Sequence, residues 1–461
     1  MILWKETVMT ERRRVRLAAT ALFVLSLIFT ADIRAETEKL RPVREIGLRQ
    51  PVPGSSGGLF AHDLDSDGEL EMLVTSKGYI GAYELKGDPL WVKQADIAFF
   101  DTAHHPSAIA GDLDGDDVHE VAYGDPETRI HFLNGTTGEE ERTLDTPGEP
   151  RAMMIANLRG KGDRDIILQY SQTEIAAIRA GDGSVLWRTG KYRCIEHSSA
   201  RVADLDGDGL DEVAGATIID HDGKKMNSWD LGHAYRWMDS MVIADVVEGG
   251  PLEVVLAEQL GAKSRTDVVN PERVVFRALN PWNWEDPDKV AVGDFDPESA
   301  GLEIFNRSSG GDGTGPRGNE EPYANEQCPW ILNSRGDLMT KYYVNDYKPS
   351  WWTGHGLEEI FRIDWDGDER HEILAKERHK IGAAAIINPM NGRFKTVFRV
   401  KAARVYAADI MDDFREEAVV LDQDGTLKVF ACREPAPTEK PSYWNQQHYR
   451  RQKQNWNYYS P

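Results

Sequence analysis

The chain has little cysteine and no long apolar run. Its 461 residues include only three cysteines, which stand far apart at Cys194, Cys328 and Cys432. An odd number with this spacing is typical of neither a disulfide framework nor a zinc site, so we expect free thiols. The apolar run from Leu17 to Ala31 has fifteen residues, which is short for a bilayer. No stretch shows sustained helical periodicity, which argues against a helical solenoid.

The chain also lacks an excess of basic residues. Its 54 Lys and Arg stand against 77 Asp and Glu, which gives a net charge of −23. A protein of this charge repels nucleic acid, so we expect no nucleic-acid partner. Four arginines between Arg12 and Arg16 precede the apolar run, and this order predicts a signal peptide over residues 1–35. We therefore expect a secreted or periplasmic protein without a stable membrane span; the alternative is a membrane anchor.

An acidic signature returns eight times down the chain. Its fullest copies begin at Asp112 and Asp204, with acids at alternate positions and a glutamate eight residues after the first acid. The eight copies begin at residues 63, 112, 157, 204, 245, 294, 364 and 409. Spacings of this size indicate a repeat architecture in which each repeat is one supersecondary unit.

Short apolar and β-branched runs lie between the signatures, with Gly-containing turns before an outer aromatic run. Four short strands per repeat make one blade of a propeller. The sequence therefore predicts an all-β, eight-bladed β-propeller with Asp-rich calcium-binding loops over residues 36–435. The last repeat offers only three strands, so we expect a strand near Pro42 to Leu48 to supply the fourth and close the ring. Residues 436–461 form an aromatic C-terminal tail that we expect to pack on the propeller as part of a monomer.

The acidic loops offer hard oxygen ligands in a tight turn, which suits Ca²⁺. The loops look like the calcium loops of FG-GAP propellers. The alternative is a solvated turn in which Asp side chains bond their own backbone. The candidate metal ligands of the four fullest copies are Asp63, Asp65, Asp67, Glu71, Asp112, Asp114, Asp116, Glu120, Asp204, Asp206, Asp208, Glu212, Asp364, Asp366, Asp368 and Glu372.

Several segments resemble one enzyme family. They run from Val202 to Val213, from Thr217 to Lys224, from Leu231 to His233, and through the motifs that begin at Asp294 and Asp409 to the tail at Asn455 to Pro461. Across most of residues 60–461 the chain resembles, as a divergent relative, the rhamnogalacturonan lyases of polysaccharide lyase family 11. The resemblance implies an eight-bladed propeller with calcium and β-elimination on the rhamnose and galacturonate backbone of pectin.

A uronate lyase needs a base for the C5 proton, a cation beside the carboxylate and an acid for the departing oxygen. Propeller sites gather where the innermost strands begin, and His105 and His197 each lie seven residues before the first acid of a signature. Either histidine could be the base, although a hydrogen-bonded loop residue is the alternative for each. The candidate catalytic residues are His105, His197, His233, Tyr235, Arg236 and Arg404.

Aromatic residues in the later repeats are candidates for stacking on sugar rings. The candidate substrate-binding residues are Trp282, Trp284, Trp351, Trp352 and His355. These features together predict an exported lyase acting on an acidic polysaccharide. The main alternative is a non-catalytic FG-GAP-like propeller that binds carbohydrate or protein, and a glycoside hydrolase is a third option.

Overall fold

The computed structural model describes residues 40–100, 104–194, 198–228, 238–258, 264–282, 287–308, 327–378, 382–437 and 440–457. It contains eight antiparallel sheets of four strands each, arranged as the blades of a propeller. The predicted fold class and number of blades are therefore confirmed.

In every blade except the last, the four strands are consecutive in the chain. The first strand, β1 (Arg44–Gly47), belongs to blade 8. Blades 1 and 2 contain β2 (Gly57–His62), β3 (Glu71–Ser76), β4 (Tyr79–Glu84), β5 (Pro89–Gln94), β6 (Ala108–Gly111), β7 (Glu120–Gly124), β8 (Arg129–Asn134) and β9 (Glu140–Asp145). Blades 3 and 4 contain β10 (Ala152–Ala156), β11 (Asp165–Gln169), β12 (Ile175–Arg179), β13 (Val185–Thr189), β14 (Arg201–Ala203), β15 (Glu212–Ala214), β16 (Thr217–Ile219) and β17 (Lys225–Ser228).

The second half repeats this plan. Blades 5 and 6 contain β18 (Met238–Ala244), β19 (Glu253–Glu258), β20 (Arg265–Val269), β21 (Val274–Leu279), β22 (Pro287–Gly293), β23 (Glu303–Ser308), β24 (Trp330–Leu332) and β25 (Leu338–Lys341). Blades 7 and 8 contain β26 (Leu357–Ile363), β27 (Glu372–Glu377), β28 (Ala384–Ile387), β29 (Phe394–Phe398), β30 (Ala402–Ala408), β31 (Glu417–Asp422) and β32 (Thr426–Phe430).

The ring closes through the two ends of the propeller sequence. Strand β1 pairs antiparallel with β32, with Arg44 opposite Val429 and Gly47 opposite Thr426. Blade 8 thus takes three strands from its own repeat and one from the start of the chain. This closure, predicted from the missing fourth strand of the last repeat, is confirmed, and it removes an exposed sheet edge.

Inner strands are buried on both faces because neighbouring blades cover them. All five residues of β11 and all six of β31 are buried, and their sequences are rich in Val, Ile and Leu. Outer strands carry tryptophans that join one blade to the next. Trp91 Nε1 donates to the carbonyl of Gly135 at 2.6 Å, and Trp187 Nε1 donates to that of His221 at 2.7 Å. Burial of these apolar faces supplies the main stabilisation of the ring.

The C-terminal segment enters the central channel. A 3₁₀ turn at Tyr443–Asn445 leads into the helix α1 (Gln447–Asn455). The helix and the residue after it contact innermost strands of four blades: Trp456 Nε1 donates to Leu59 O, Gln454 Nε2 to Ala110 O, Lys453 Nζ to Ala407 O, and His448 Nε2 lies 3.1 Å from Ile243 O. Among the described residues, no helix combines the length and apolarity that crossing a membrane would require.

Candidate functional site

The acidic loops share one hydrogen bond that closes them. In seven blades the backbone nitrogen of the residue after the first position of the signature donates to the last acid, which begins the second strand. The pairs are Leu64 to Glu71 (2.7 Å), Leu113 to Glu120 (2.8 Å), Leu158 to Asp165 (3.0 Å), Leu205 to Glu212 (2.7 Å), Val246 to Glu253 (2.9 Å), Phe295 to Glu303 (2.9 Å) and Ile410 to Glu417 (3.0 Å). The last acid therefore has a role in the fold itself, which accounts for its presence in loops that have lost the middle acids.

Among the residues that the structure describes, five groups of acidic and histidine side chains could hold a metal ion, because their ligand atoms lie within 4.8 Å of one another. They are Asp63, Asp65 and Glu71; Asp112, Asp114 and Glu120; Asp204, Asp206 and Glu212; Asp208, Glu212 and His221; and Asp366, Asp368 and Glu372. The groups contain most of the predicted ligands but not Asp67, Asp116 or Asp364. Asp67 and Asp116 accept hydrogen bonds from the nitrogens of Glu69 and Val118, as in the alternative of a capped turn.

The loops of blades 1 and 4 fit a cation best. Burial, and then the neighbouring aspartates, raise the pKa of Glu71 and of Glu212 to about 8. Oε1 of Glu212 is buried and has no hydrogen-bond partner in the described part of the chain. Carboxylates crowded in this way are stabilised by a bound cation. We conclude that the residues present suit a hard metal ion at these two loops.

The loops of blades 2 and 7 already contain cationic side chains. Arg142 Nη1 lies 2.5 Å from Asp114 Oδ2 and 3.4 Å from Glu120 Oε1. Lys395 Nζ contacts Glu372 Oε1 and lies 3.1 Å from Asp366 Oδ2. In these two blades a side chain of the protein occupies the space between the acids.

Charged residues also gather at the opposite ends of the inner strands, where those of blades 6 to 8 begin. The Lys289 ammonium donates to the carbonyl of Glu358 at 2.6 Å and lies 3.7 Å from its carboxylate. Burial lowers the pKa of Lys289 to about 8. Arg378 Nε lies 3.0 Å from Glu358 Oε2, and Arg307 contacts the carboxylate of Asp288. Lys289 and Arg307 are fully buried, so this network fixes several charges at one end of the channel.

Arg404 joins this network from blade 8. Its Nη2 donates to the carbonyl of Gly54 and lies 2.7 Å from Nδ1 of His104, while Nε lies 3.9 Å from Glu359 Oε1. Burial raises the pKa of Glu359. Nearby cations, which include Arg404, lower it, but the effect of burial is larger. The predicted catalytic residue Arg404 is thus held beside a histidine by contacts from blade 7 and from the loops before blades 1 and 2. We call Lys289, Arg307, Glu358, Glu359, Arg378 and Arg404 the charged cluster.

His105, a predicted base, is buried at 2% exposure in the loop before β6. Its Nδ1 accepts a hydrogen bond from the backbone nitrogen of Ser107 at 2.8 Å, so this nitrogen carries no proton in that arrangement. Burial, and then the charge of Arg201, lower the pKa of His105 to about 3. The ring is therefore neutral with its basic nitrogen already engaged, a geometry that argues against His105 as the base.

The predicted aromatic residues lie in different surroundings. Trp352 is 2% exposed, donates to the Gly356 carbonyl at 2.9 Å and packs edge-on to Phe394, so both ring faces lie in the core and a sugar has no access to them. Trp351 is half-buried beside a cleft of about 840 Å³, and the Arg399 guanidinium lies 5.3 Å from its ring centre. Trp282 has the Lys341 ammonium 4.1 Å above its ring.

His355 lies in the loop before β26, where its backbone nitrogen donates to Thr353 Oγ1 at 3.2 Å. The predictions on His197, His233, Tyr235, Arg236 and Trp284 fall outside the described residues. A second cavity, of about 920 Å³, lies at the other end of the channel between the acidic loops and the C-terminal segment, with His62, Asp112 and Trp444 among its lining residues.

Sequence reasoning missed most of the charged cluster. Lys289, Glu358 and Glu359 stand inside largely buried innermost strands, with the sequences PDKVAVG and LEEIFRI. A charge in a strand that is buried on both faces requires a partner, and this was the available signal. Two of the pairs, Lys289 with Glu358 and Arg404 with Glu359, join different blades, so the sequence pattern alone could not identify them.

Comparison with known proteins shows what the chain resembles. A sequence profile described as "Rhamnogalacturonan lyase family 11, C-terminal domain" matches residues 187–461. The chain is 24% identical over 493 residues to the rhamnogalacturonan endolyase YesW of Bacillus subtilis, covering 87% of this chain and 73% of that protein. It is 24% identical over 477 residues to the rhamnogalacturonan exolyase YesX of the same organism, covering 83% of this chain and 72% of that protein.

Solved structures agree on the fold. The crystal structure of exotype rhamnogalacturonan lyase YesX superposes with a TM-score of 0.68 at 21% identity, covering 90% of this chain and 80% of that one. A rhamnogalacturonan lyase from Bacillus licheniformis gives a TM-score of 0.66 at 19% identity, covering 91% and 81%. The profile covers more than half of the sequence and shows that the chain belongs to rhamnogalacturonan lyase family 11.

Proposed function

We propose that the protein is a polysaccharide lyase that cleaves a uronate-containing, rhamnogalacturonan-like polysaccharide by β-elimination. The observation that carries this proposal is the family match over residues 187–461, which includes five blades and the C-terminal segment. The names of both Bacillus subtilis relatives support the same substrate class. A net charge of −23 is compatible with an acidic substrate, because the cations of the charged cluster lie together where the inner strands begin.

The reaction follows from the chemistry of a uronate. A base removes the C5 proton, the C4–O bond breaks, a C4=C5 double bond forms, and the departing oxygen takes up a proton. Loss of the C5 proton places negative charge next to a carboxylate, so a fixed cation at that point lowers the barrier. In this proposal Arg404 neutralises the carboxylate, and Lys289 and Arg307 position the surrounding carboxylates. His197, Tyr235 and Arg236 remain proposed as the groups that transfer protons and bind the substrate.

The loops of blades 1 and 4 support a calcium site in each. Asp63, Asp65 and Glu71 would hold one ion, and Asp204, Asp206 and Glu212 the other. When bound, calcium would neutralise crowded carboxylates and so stabilise the inner strand pairs. Chelation is expected to lower the melting temperature, by an amount that corresponds to about 3 kcal/mol for each ion when the calcium concentration is about 100 times Kd. A melting temperature that does not respond to chelator would contradict this assignment.

Residues 1–35 support export as part of the same proposal, because a secreted enzyme meets polysaccharide outside the cell. Mass spectrometry of the protein recovered from an expressing cell tests this, since cleavage after Ala35 is the expected result. Retention of the full N-terminus would argue for the membrane anchor.

One assay tests the activity. The purified protein is incubated with calcium and with rhamnogalacturonan, ulvan or other polyuronates, and the ultraviolet absorbance of unsaturated uronate ends is followed. Arg404→Ala is expected to lower kcat/KM by about 100-fold or more, while the exposed Arg433→Ala serves as a control with unchanged activity. Absence of new absorbance on every polymer, with binding retained, would favour the non-catalytic alternative.

A further inference from the structure

Two protein cations sit among the acids of the blade 7 loop. Lys395, from the outer strand β29, contacts Glu372 and lies 3.1 Å from Asp366 Oδ2. Lys440, from the C-terminal segment, places its ammonium 3.3 Å from Asp364 Oδ2 and 2.8 Å from the carbonyl of Asp368. Lys395 therefore pairs with two of the three acids that could hold a metal, Asp366, Asp368 and Glu372, whereas the carboxylate that Lys440 approaches is Asp364, outside that group.

The blade 2 loop has the same arrangement with arginines. Arg142, from the outer strand β9, binds Asp114 and Glu120 and stacks its guanidinium 4.0 Å from the ring centre of Phe132. Arg164, from the next blade, lies 3.2 Å from Asp112 Oδ2. Three of the four predicted ligands of this loop thus form ion pairs within the protein.

The residues at two positions of the outer strand explain why protein cations enter the loops of blades 2 and 7 but not those of blades 1 and 4. In each of blades 1, 2, 4 and 7 the outer strand carries a bulge against the third strand, and in blades 2 and 7 the side chain that reaches the loop acids belongs to the bulged residue or to the one after it. In blade 7 these two positions hold Lys395 and Thr396, and in blade 2 they hold Glu141 and Arg142. The same positions hold Leu90 and Trp91 in blade 1, and Met226 and Asn227 in blade 4. The loops of blades 1 and 4 therefore receive no cation from these positions.

A divalent ion and an ammonium group cannot share one set of carboxylates without strong repulsion, because like charges a few ångströms apart in a partly buried site repel. The blade 4 loop keeps a buried oxygen of Glu212 without a hydrogen-bond partner in the described structure, and Oδ1 of Asp63 in blade 1 is in the same state. In blade 7 Oε2 of Glu372 also lacks a partner among the described residues, but its other oxygen already contacts Lys395. We infer that the four fullest loops bind only two divalent ions, in blades 1 and 4, and that Lys395 and Arg142 take the place of the metal in blades 7 and 2. This inference rests on the proposed calcium sites.

A reciprocal pair of substitutions tests it. Calcium bound per full-length chain is measured by elemental analysis after equilibrium dialysis against buffered calcium, and by calorimetric titration after chelator treatment. The expected result is two ions per chain for the wild type, three for Lys395→Met, and one for Met226→Lys, which introduces an ammonium at the matching position of blade 4. Lys395→Gln, which removes the charge but keeps a hydrogen-bond donor, is expected to bind three ions as well.

Lys93→Met is the matched control. Lys93 also lies on an outer strand, but its ammonium donates to the Gly138 carbonyl at 3.1 Å rather than to a loop acid, so two ions are expected. Four ions in the wild type, none in the wild type, or two in both Lys395 variants would overturn the inference. The lyase assay on the same preparations separates the two proposals: a pattern of two, three and one without activity would contradict only the proposed function, and activity without this pattern would contradict only the inference.

Discussion

Lys453 Nζ lies 2.9 Å from Glu416 Oε1, so helix α1 and blade 8 are joined by a buried ion pair inside the channel. Arg362 of blade 7 contacts the other carboxylate oxygen of Glu416, and the hydroxyl of Tyr449 donates to Oε1 at 2.8 Å. One carboxylate therefore binds the C-terminal helix and the innermost strand of a neighbouring blade together.

Glu416→Gln is expected to destabilise the fold. The substitution leaves Arg362 and Lys453 buried without their counter-ion, and breaking a buried pair in this way costs about 3 kcal/mol or more. Urea denaturation gives the free energy of unfolding. Glu434→Gln, at an exposed position, is the control with little expected change. Equal stability of the two variants would contradict the role assigned to Glu416.

The same carboxylate makes the stability of the folded protein depend on pH. Burial alone would raise the pKa of Glu416, but Arg362 and Lys453 outweigh it and lower the pKa from the ordinary 4.5 to about 2. Because the pKa is lower in the folded state, the ion pair stabilises the protein fully above about pH 4.5 and loses its contribution as the pH falls towards 2. Melting temperatures measured across this range should fall more steeply for the wild type than for Glu416→Gln. Parallel curves would show that another group is responsible.

Gly138→Ala is expected to disrupt the contact between blades 1 and 2. A Cβ at Gly138, where φ is +68°, would lie 2.5 Å from Cδ2 of Trp91. The clash and the left-handed backbone together are expected to cost about 2–4 kcal/mol. Gly249→Ala is the matched control, since φ is +79° there but the space is open, so it should show only the backbone cost of about 1 kcal/mol. A similar loss in both variants would show that the Trp91 contact contributes nothing.

His105→Asn separates a structural histidine from a catalytic one. The Asn side-chain oxygen can accept the hydrogen bond from the nitrogen of Ser107 but cannot remove a proton from a sugar. We expect the variant to keep the melting temperature and the activity of the wild type. His105→Ala should lose stability, because the buried nitrogen of Ser107 would then lack its acceptor. Loss of activity in a stable His105→Asn protein would restore His105 as the candidate base.

The repeat positions were the part of the structure that the sequence could predict. Asp63, Asp204 and their counterparts mark the loop after each innermost strand, and the missing fourth strand of the last repeat indicated its partner near Arg44. The periodicity is visible because each blade repeats the same local structure. The metal sites were less predictable, since Arg142 and Lys395 enter their loops from an outer strand more than twenty residues away in the chain.

The position of a single side chain was the least predictable property. Trp351 and Trp352 are adjacent in sequence and were assigned one role, yet one borders a cleft and the other lies in the core. Neighbouring residues in a loop point in different directions, and which one becomes buried depends on the packing of Phe394 from a strand about forty residues later. The charged cluster has the same origin in part, because Lys289 and Arg404 pair with Glu358 and Glu359 of a neighbouring blade.

Because β1 pairs with β32, blade 8 cannot be completed until the end of the propeller sequence has been synthesised. Strand β1 is made before every other described strand of the propeller, whereas its partner β32 is the last of these strands to be made. At about 5–20 residues per second the ribosome needs tens of seconds to synthesise the intervening blades. Throughout that interval β1 has an open hydrogen-bonding edge that could pair with the wrong strand or with another nascent chain. Protection of this edge during synthesis therefore has to come from other cellular components, because its partner strand does not yet exist.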